Sequence, residues 1–532
     1  MTNTCAAQVM CSLAGGLARL THLQHLDLNF TPWEFRTERT LLHDIFKSMT
    51  RLTFLDIGRC MYATPAAALL LSLTQLNSLH AVVYFDYATG VRQLSNALGK
   101  LTKLTALTIQ LDALQPSVTD EACYNCVADA VTNLISLEQL GVAVLPRVVM
   151  PWHRRAFPDA LETLRTLRCL SLATAGDVIP MIELLPSVPS CSHLTKLLVK
   201  MRELKAGEAW MSLRSVLAQM PELIELHALS SPPCAPNADQ AGEQNHSTQQ
   251  VAPALSQLTC LVVDMEWVHG SSEHIAGFLS VLGAPSILRT LEISFNDCVD
   301  NAAAVMQLMT VLPCAVSLQQ LHLKHAQMSE DNVQMFALCC ANITELTRLR
   351  LHEVLADNAY EHLVELFTAF GHLRSLHSLA LLAEGLDEGN RHRVTVCAAT
   401  ALREAVKCMP RLHVLNIKGF QFPNGSLEAL APAFPCCRKL DRLRLRHCFL
   451  SGPDVRQVLP ALEATPWLKM LDLSYNCIND SGMAQLVGAA PIHLFACRLL
   501  FFVFRTSKSA SMCVKRSEIR DATVKGNALV FQ

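Results

Sequence analysis

The stretch Thr465–Leu486, TPWLKMLDLSYNCINDSGMAQL, decides how the chain is read. Leu468, Leu471 and Leu473 are followed by Asn476 and Ile478, the spacing L-x-x-L-x-L-x-x-N-x-I, and Asp480, Gly482 and Leu486 then open a helical pattern. The apolar period therefore changes from 2 to 3.6 inside one short unit. Such a unit sets a strand beside a helix with its leucines between them, and its apolar face stays open above and below. One copy cannot fold alone; a stack of copies can.

The same L-x-L pair, in places degenerate, begins at Leu26, Leu55, Leu79, Leu107, Leu140, Leu170, Leu197, Leu226, Leu261, Leu291, Leu321, Leu349, Leu379, Leu415, Leu443 and Leu471. These are 16 units with a mean step of about 30 residues. The signature resembles that of leucine-rich repeat proteins, and the long step with a helix in each unit is most similar to the ribonuclease-inhibitor subclass. The resemblance implies an α/β leucine-rich repeat solenoid: a curved horseshoe with a parallel sheet on the concave face and helices on the convex face. A fold of this kind says little about function.

Composition agrees with a solenoid. The chain has 532 residues, is 51% hydrophobic and 17% charged, and has a net charge of -2 with no long acidic or basic run. A globule of this length would divide into several domains, whereas a solenoid grows by adding units. One elongated domain is therefore expected. Residues 1–20 are read as an N-terminal cap, too short for a catalytic or adaptor module, residues 21–490 as the array, and 491–532 as a degenerate C-terminal cap with a loose tail.

The 21 cysteines are scattered, and the start CAAQVMCSLAGGLA lacks the basic region of a cleavable signal. The expectation is reduced, mostly buried thiols in a cytoplasmic protein. The triplets at Asn29, Asn245, Asn342, Asn424 and Asn479 would count as glycosylation acceptors only in a secreted chain. Cys123 and Cys126 form a C-x-x-C with no second pair at zinc spacing, and two ordinary thiols are the better reading. Residues 230–254 are proline-rich and poor in large apolar side chains, so a flexible loop is expected there in place of a helix. The apolar segment 494–506 is too short to span a membrane; Leu499 falls where a further strand would start, and an unpaired edge there would promote self-association.

No nucleotide loop, zinc-protease, serine-hydrolase or kinase signature appears, so no catalytic residue, cofactor or metal ligand is assigned. His322, His325 and His352 could be imagined as a cluster across two strands, but no carboxylate is expected beside them on that face. The hallmark position of Asn476 is held clearly also by Cys60, Asn296 and Cys448, so other turns must satisfy their backbone differently. The segments SEDNVQMFALCC after Leu323 and DNAYEHLVELFTAF after Leu351 read as capped helices.

In x-L-x-L-x the leucines enter the core and the three x residues share the opposite face. Read down the array, that face is bland in the N-terminal units and of mixed sign near Lys196, Lys200, Glu225, Asp264 and Glu292. It then becomes basic: His322, Lys324, Arg348, Arg350, His352, Lys418, Arg442, Arg444 and Arg446, with Ser378, Ala380 and Leu382 between two patches. Asp472 and Asp441 are the flanking carboxylates expected to offset them. A solvated face, an acidic protein partner and nucleic acid are the three readings. Neutral net charge and the lack of interleaved aromatics weigh against the last. The leading expectation is a non-enzymatic scaffold that grips a protein with an acidic segment. The resemblance also allows a regulator, inhibiting or activating a partner enzyme such as a small GTPase or a ribonuclease.

Overall fold

A computed structural model of the chain describes residues 19–27, 48–57, 61–85, 88–113, 128–145, 156–174, 193–202, 222–231, 257–264, 286–295, 301–354, 362–383, 393–423, 425–479 and 498–500, with 188, 191, 216–217, 219–220 and 481–482. The chain falls into two compact units, Met1–Leu258 with Val262–Gly270, and Thr259–Leu261 with Ser271–Gln532. The cap 1–18, the Cys123/Cys126 pair, Cys60, Asn296 and the tail after 500 lie outside the described residues. So does nearly all of the proline-rich segment, whose first two residues, Ser230 and Ser231, end a strand.

In the first unit the strands are β1 (His25–Asp27), β2 (Phe54–Asp56), β3 (Met61–Tyr62), β4 (Ser78–Phe85), β5 (Ala106–Ala113), β6 (Gln139–Leu145), β7 (Cys169–Thr174), β8 (Lys196–Arg202) and β9 (Glu225–Ser231). They pair in parallel with Leu26, Leu55, Leu79, Leu107, Leu140, Leu170, Leu197 and Leu226 opposite one another. The short β3 joins the far end of β4, Met61 opposite Val83. The helices Ala63–Leu70 (α1), Ala88–Gly99 (α2) and Ala156–Thr163 (α3) lie between strands in the chain, and α1 packs on α2.

The boundary between the units runs through β10 (Cys260–Asp264). The second unit continues with β11 (Thr290–Ser294), β12 (Gln320–Lys324), β13 (Arg348–His352), β14 (Ser378–Leu382), β15 (Val414–Lys418), β16 (Arg442–Arg446), β17 (Met470–Asp472) and β18 (Arg498–Leu500). Leu291, Leu321, Leu349, Leu379, Leu415, Leu443, Leu471 and Leu499 align across these parallel strands. From Leu291 to Leu471 each is at most 2% exposed, so the column is the core of the sheet.

Helices Ala302–Val311 (α4), Glu330–Asn342 (α5), Leu363–Phe370 (α6), Val396–Lys407 (α7), Ser426–Leu430 (α8) and Gly452–Glu463 (α9) alternate with these strands and pack on their neighbours. Phe336, Phe367, Phe370 and Phe434 fill the space beneath them, fully buried. Acceptor side chains start several helices. The Ser329 hydroxyl accepts from the Asn332 N–H, the Thr395 hydroxyl from the Ala398 N–H at 3.1 Å, and the Asp454 carboxylate from the Ser451 N–H at 2.8 Å. The expected cap after Leu351 differs: α6 starts at Leu363 behind His362, which makes no side-chain cap bond.

The turns leaving β12, β13, β15, β16 and β17 are built alike. The residue before the hallmark position has positive φ: His325 at 53°, Glu353 at 50°, Gly419 at 80°, His447 at 53° and Tyr475 at 62°. The left-handed residue bends the chain out of the sheet while its N–H still reaches the next strand, as His325 does to the His352 carbonyl at 2.8 Å. At Gly419 a Cβ would stand 2.1 Å from the Ala383 carbonyl oxygen, so only glycine fits there. The hallmark side chain then satisfies the turn. Asn476 accepts from the Cys448 and Leu450 N–H groups at 2.8 and 3.2 Å and donates to the Leu445 and Leu473 carbonyls at 2.6 and 2.9 Å. The Cys448 thiol points to the Ile417 carbonyl at 3.4 Å. Ala326, Val354 and Phe420 occupy the same place and are buried.

All twelve described cysteines are free thiols. Burial pushes Cys191 up to about 11 and Cys339, Cys437 and Cys448 up to about 12, and it raises Cys340 further. A thiol held protonated by an apolar setting is a poor nucleophile.

Gly419→Ala is expected to cost at least about 3 kcal/mol in urea unfolding, from the clash and the left-handed φ together. Asn476→Ala leaves two buried N–H groups without an acceptor and is expected to cost about 2–4 kcal/mol, with faster amide exchange at Cys448 and Leu450 as the local sign. Alkylation under native conditions is expected at Cys314, Cys397, Cys408, Cys436 and Cys477 and not at Cys339, Cys340, Cys437 or Cys448 until the chain unfolds. The raised folded values have a signed consequence for stability. The buried-thiol contribution is fully present below the ordinary thiol value of 9.0 and is lost as pH climbs towards about 12, because unfolded thiols ionise first.

Candidate protein-binding face

In the second unit, alternate side chains leave the sheet on opposite sides, so the column of leucines enters the core and the residues between them stand on the other face. Common register turns those residues into rows. The middle row reads Glu292, His322, Arg350, Ala380, Asn416, Arg444, Asp472. It has a carboxylate at each end, a cation or imidazole inside each carboxylate, and neutral residues at the centre. The row before it aligns Gln320, Arg348, Ser378, Val414 and Arg442, and the row after it aligns Lys324, His352, Leu382, Lys418 and Arg446. All nine residues singled out from the sequence thus lie in three adjacent rows of one sheet.

Their surroundings differ. Arg348 and Arg350 are exposed, and neither side chain has a hydrogen-bond or ion-pair partner among the described residues. Arg442 is 53% exposed, with Nε 3.8 Å from the Asp441 carboxylate. Among the described residues Arg444 reaches the Met470 sulfur alone, at 3.8 Å. Arg446 is held: its Nε donates to the Ser474 hydroxyl at 3.0 Å, lies 3.6 Å from Asp472, and its guanidinium sits 5.4 Å over the Tyr475 ring. Asp472 is itself buried and accepts from the Ser474 N–H and hydroxyl at 3.0 and 2.6 Å. His322 meets Glu292 at 2.6 Å, and Lys324 and Lys418 each have interaction partners of their own.

Two expectations need correction. Carboxylates do accompany the histidines: Glu292 pairs with His322, and Glu353 lies 2.7 Å from His325. They were overlooked because Glu292 belongs to the preceding strand and Glu353 to the turn beyond the triplet. His352, in turn, is no surface residue. At 7% exposed it resembles Ser294 at 8% and Leu382 at 7%, which hold the third position of their own triplets. Its ring lies 5.7 Å from that of His325. Among the described residues no three histidine, cysteine or acidic side chains are placed to hold a metal ion, and no helix is long and apolar enough to cross a membrane.

Sequence reasoning missed Ser474 and Tyr475, which immobilise Arg446. Both lie just past the L-x-L pair, where the left-handed turn brings them back under the neighbouring strand. The turn position before the hallmark is the signal that marks Tyr475. Asn416 lies between the two arginine strands, and its buried Oδ1 has no hydrogen-bond partner.

No protein-family model matches the chain. Over 229 residues it is 23% identical to NLR family CARD domain-containing protein 4 of Xenopus tropicalis, a match that covers 40% of this chain and 23% of that protein. The chain thus spans about a quarter of the length of this relative. Among solved structures, the yeast Rad7 and Elc1 complex is similar over 90% of this chain and 93% of the matched chain, at 13% identity and a TM-score of 0.39. The plant peptide hormone receptor RGFR1 in complex with RGF2 is similar over 91% of this chain and 67% of the matched chain, at 12% identity and a TM-score of 0.33. With eight leucines in register in each unit, helices alternating with the parallel strands of the second, and a hallmark asparagine closing the turn after β17, the chain has the leucine-rich repeat fold.

Proposed function

We propose that this protein is a non-enzymatic scaffold that binds a protein partner through the face of the second unit's sheet opposite its leucine column, and that the contacting part of the partner is acidic. The observation that carries this reading is the pair Arg348 and Arg350, exposed and without a partner among the described residues. They stand three strands from the exposed Arg442 and the half-buried Arg444. Cations held side by side repel one another, and a row of them is relieved by bound carboxylates. Guanidinium groups suit that task, since they pair bidentately with carboxylates and lose little hydration on contact.

The contact residues reduce to Arg348, Arg350, Arg442 and Arg444. Arg446, His322 and His352 serve the face from within, through Asp472, Glu292 and the buried turn. Nucleic acid is the weaker reading because the net charge is -2 and no stacking aromatics stand between the arginines.

Replacing Arg348, Arg350, Arg442 and Arg444 together by Glu is expected to remove the main partners from an affinity purification in the native cell, with the melting temperature kept within a few degrees, because these side chains are exposed or half-exposed. An unchanged set of captured proteins would sink this reading.

A further inference from the structure

Resting on that reading, we infer that the partner segment is an extended stretch carrying two acidic residues four positions apart with an apolar residue midway, Asp/Glu-x-Φ-x-Asp/Glu, laid across the strands from β13 to β16.

The spacing follows from the sheet. Arg350 and Arg444 lie in one row and are separated by three strand steps, about 14 Å at ~4.8 Å per step. In an extended chain, side chains at i, i+2 and i+4 leave on the same side, and i and i+4 are about 13 Å apart. Two carboxylates at i and i+4 therefore meet the two arginine strands together. Carboxylates on adjacent residues face opposite ways, and those at i+2 reach only half the distance.

The floor between the arginines fits the middle residue. Ala380 and Asn416 are the row's two central positions; Ser378 and Val414 flank them in the row before, Leu382 and Lys418 in the row after. Within the middle row position i+2 therefore meets no charge, with Val414 and Leu382 as its apolar neighbours. The ends of the row set the limits. Glu292 already occupies His322, and Asp472 closes the row beyond Arg444. An acidic residue placed further out on either side would meet a carboxylate, so the face favours two charges and disfavours a long acidic run.

Fluorescence polarisation with the full chain tests this. The labelled peptide contains Asp-Ser-Leu-Ser-Asp, and the comparator has the same composition in the order Asp-Asp-Ser-Leu-Ser. The spaced peptide is expected to bind about tenfold more tightly and to weaken about tenfold in Arg350→Glu and, separately, in Arg444→Glu, with the strength falling as salt rises. Circular dichroism on both variants separates lost binding from lost folding. Equal binding of the two peptides, weakened by either substitution, overturns the spacing and leaves the acidic-partner reading standing. Binding of neither peptide overturns the inference, and the purification with the four arginines replaced then reports separately on the face. A single-stranded oligonucleotide that outcompetes the spaced peptide overturns both.

Discussion

Everything in the second unit depends on leucine residues meeting leucine residues across parallel strands. From Leu291 to Leu471 the column is closed to solvent, and each strand must enter the sheet at the same depth to keep it so. A slip of one residue would carry every leucine to the opposite face and bring arginine into the core. Register is therefore held by the burial of the whole column. Several of the turns hold it a second time through a left-handed residue, and after β17 Asn476 adds a side chain that bonds to the strand before it.

The same constraint creates the candidate site. Once register is common, residues that are about 30 positions apart in the chain stand about 5 Å apart in a row. Neither arginine strand could avoid the others by sliding. The charges are managed locally instead: Asp472 and Ser474 hold Arg446, Asp441 lies near Arg442, and Glu292 pairs with His322. What is left over is Arg348 and Arg350 on one side of β14 and β15 and Arg442 with Arg444 on the other. An arrangement that fully cancelled these charges would have placed a carboxylate on β14 or β15, where the face carries Ser378, Ala380, Leu382, Val414, Asn416 and Lys418.

The units read most easily from the sequence were those in which Leu, Asn and Cys keep their places, such as the one around Leu471 and Asn476. The left-handed turn was not legible. Only Gly419 shows it by residue type; His325, Glu353, His447 and Tyr475 adopt the same φ with ordinary side chains. Non-glycine residues tolerate that conformation where surrounding hydrogen bonds over-determine it, and composition does not reveal such support. Nor could the division into two units be read from a repeat that runs through both.

By itself the sequence determined the strand–helix alternation, the column of leucines and the list of side chains opposite them, because each follows from a period along the chain. Which of those side chains remain available was decided only by tertiary structure. Arg350 and Arg446 both leave the sheet on the side opposite the leucine column, Arg350 from the middle row and Arg446 from the row after it. Arg446 is clamped by a turn residue and a buried carboxylate supplied by the next strand, and among the described residues Arg350 has no such neighbour. The difference lies in what the adjacent repeat brings alongside, and pairing across strands is a property of the fold.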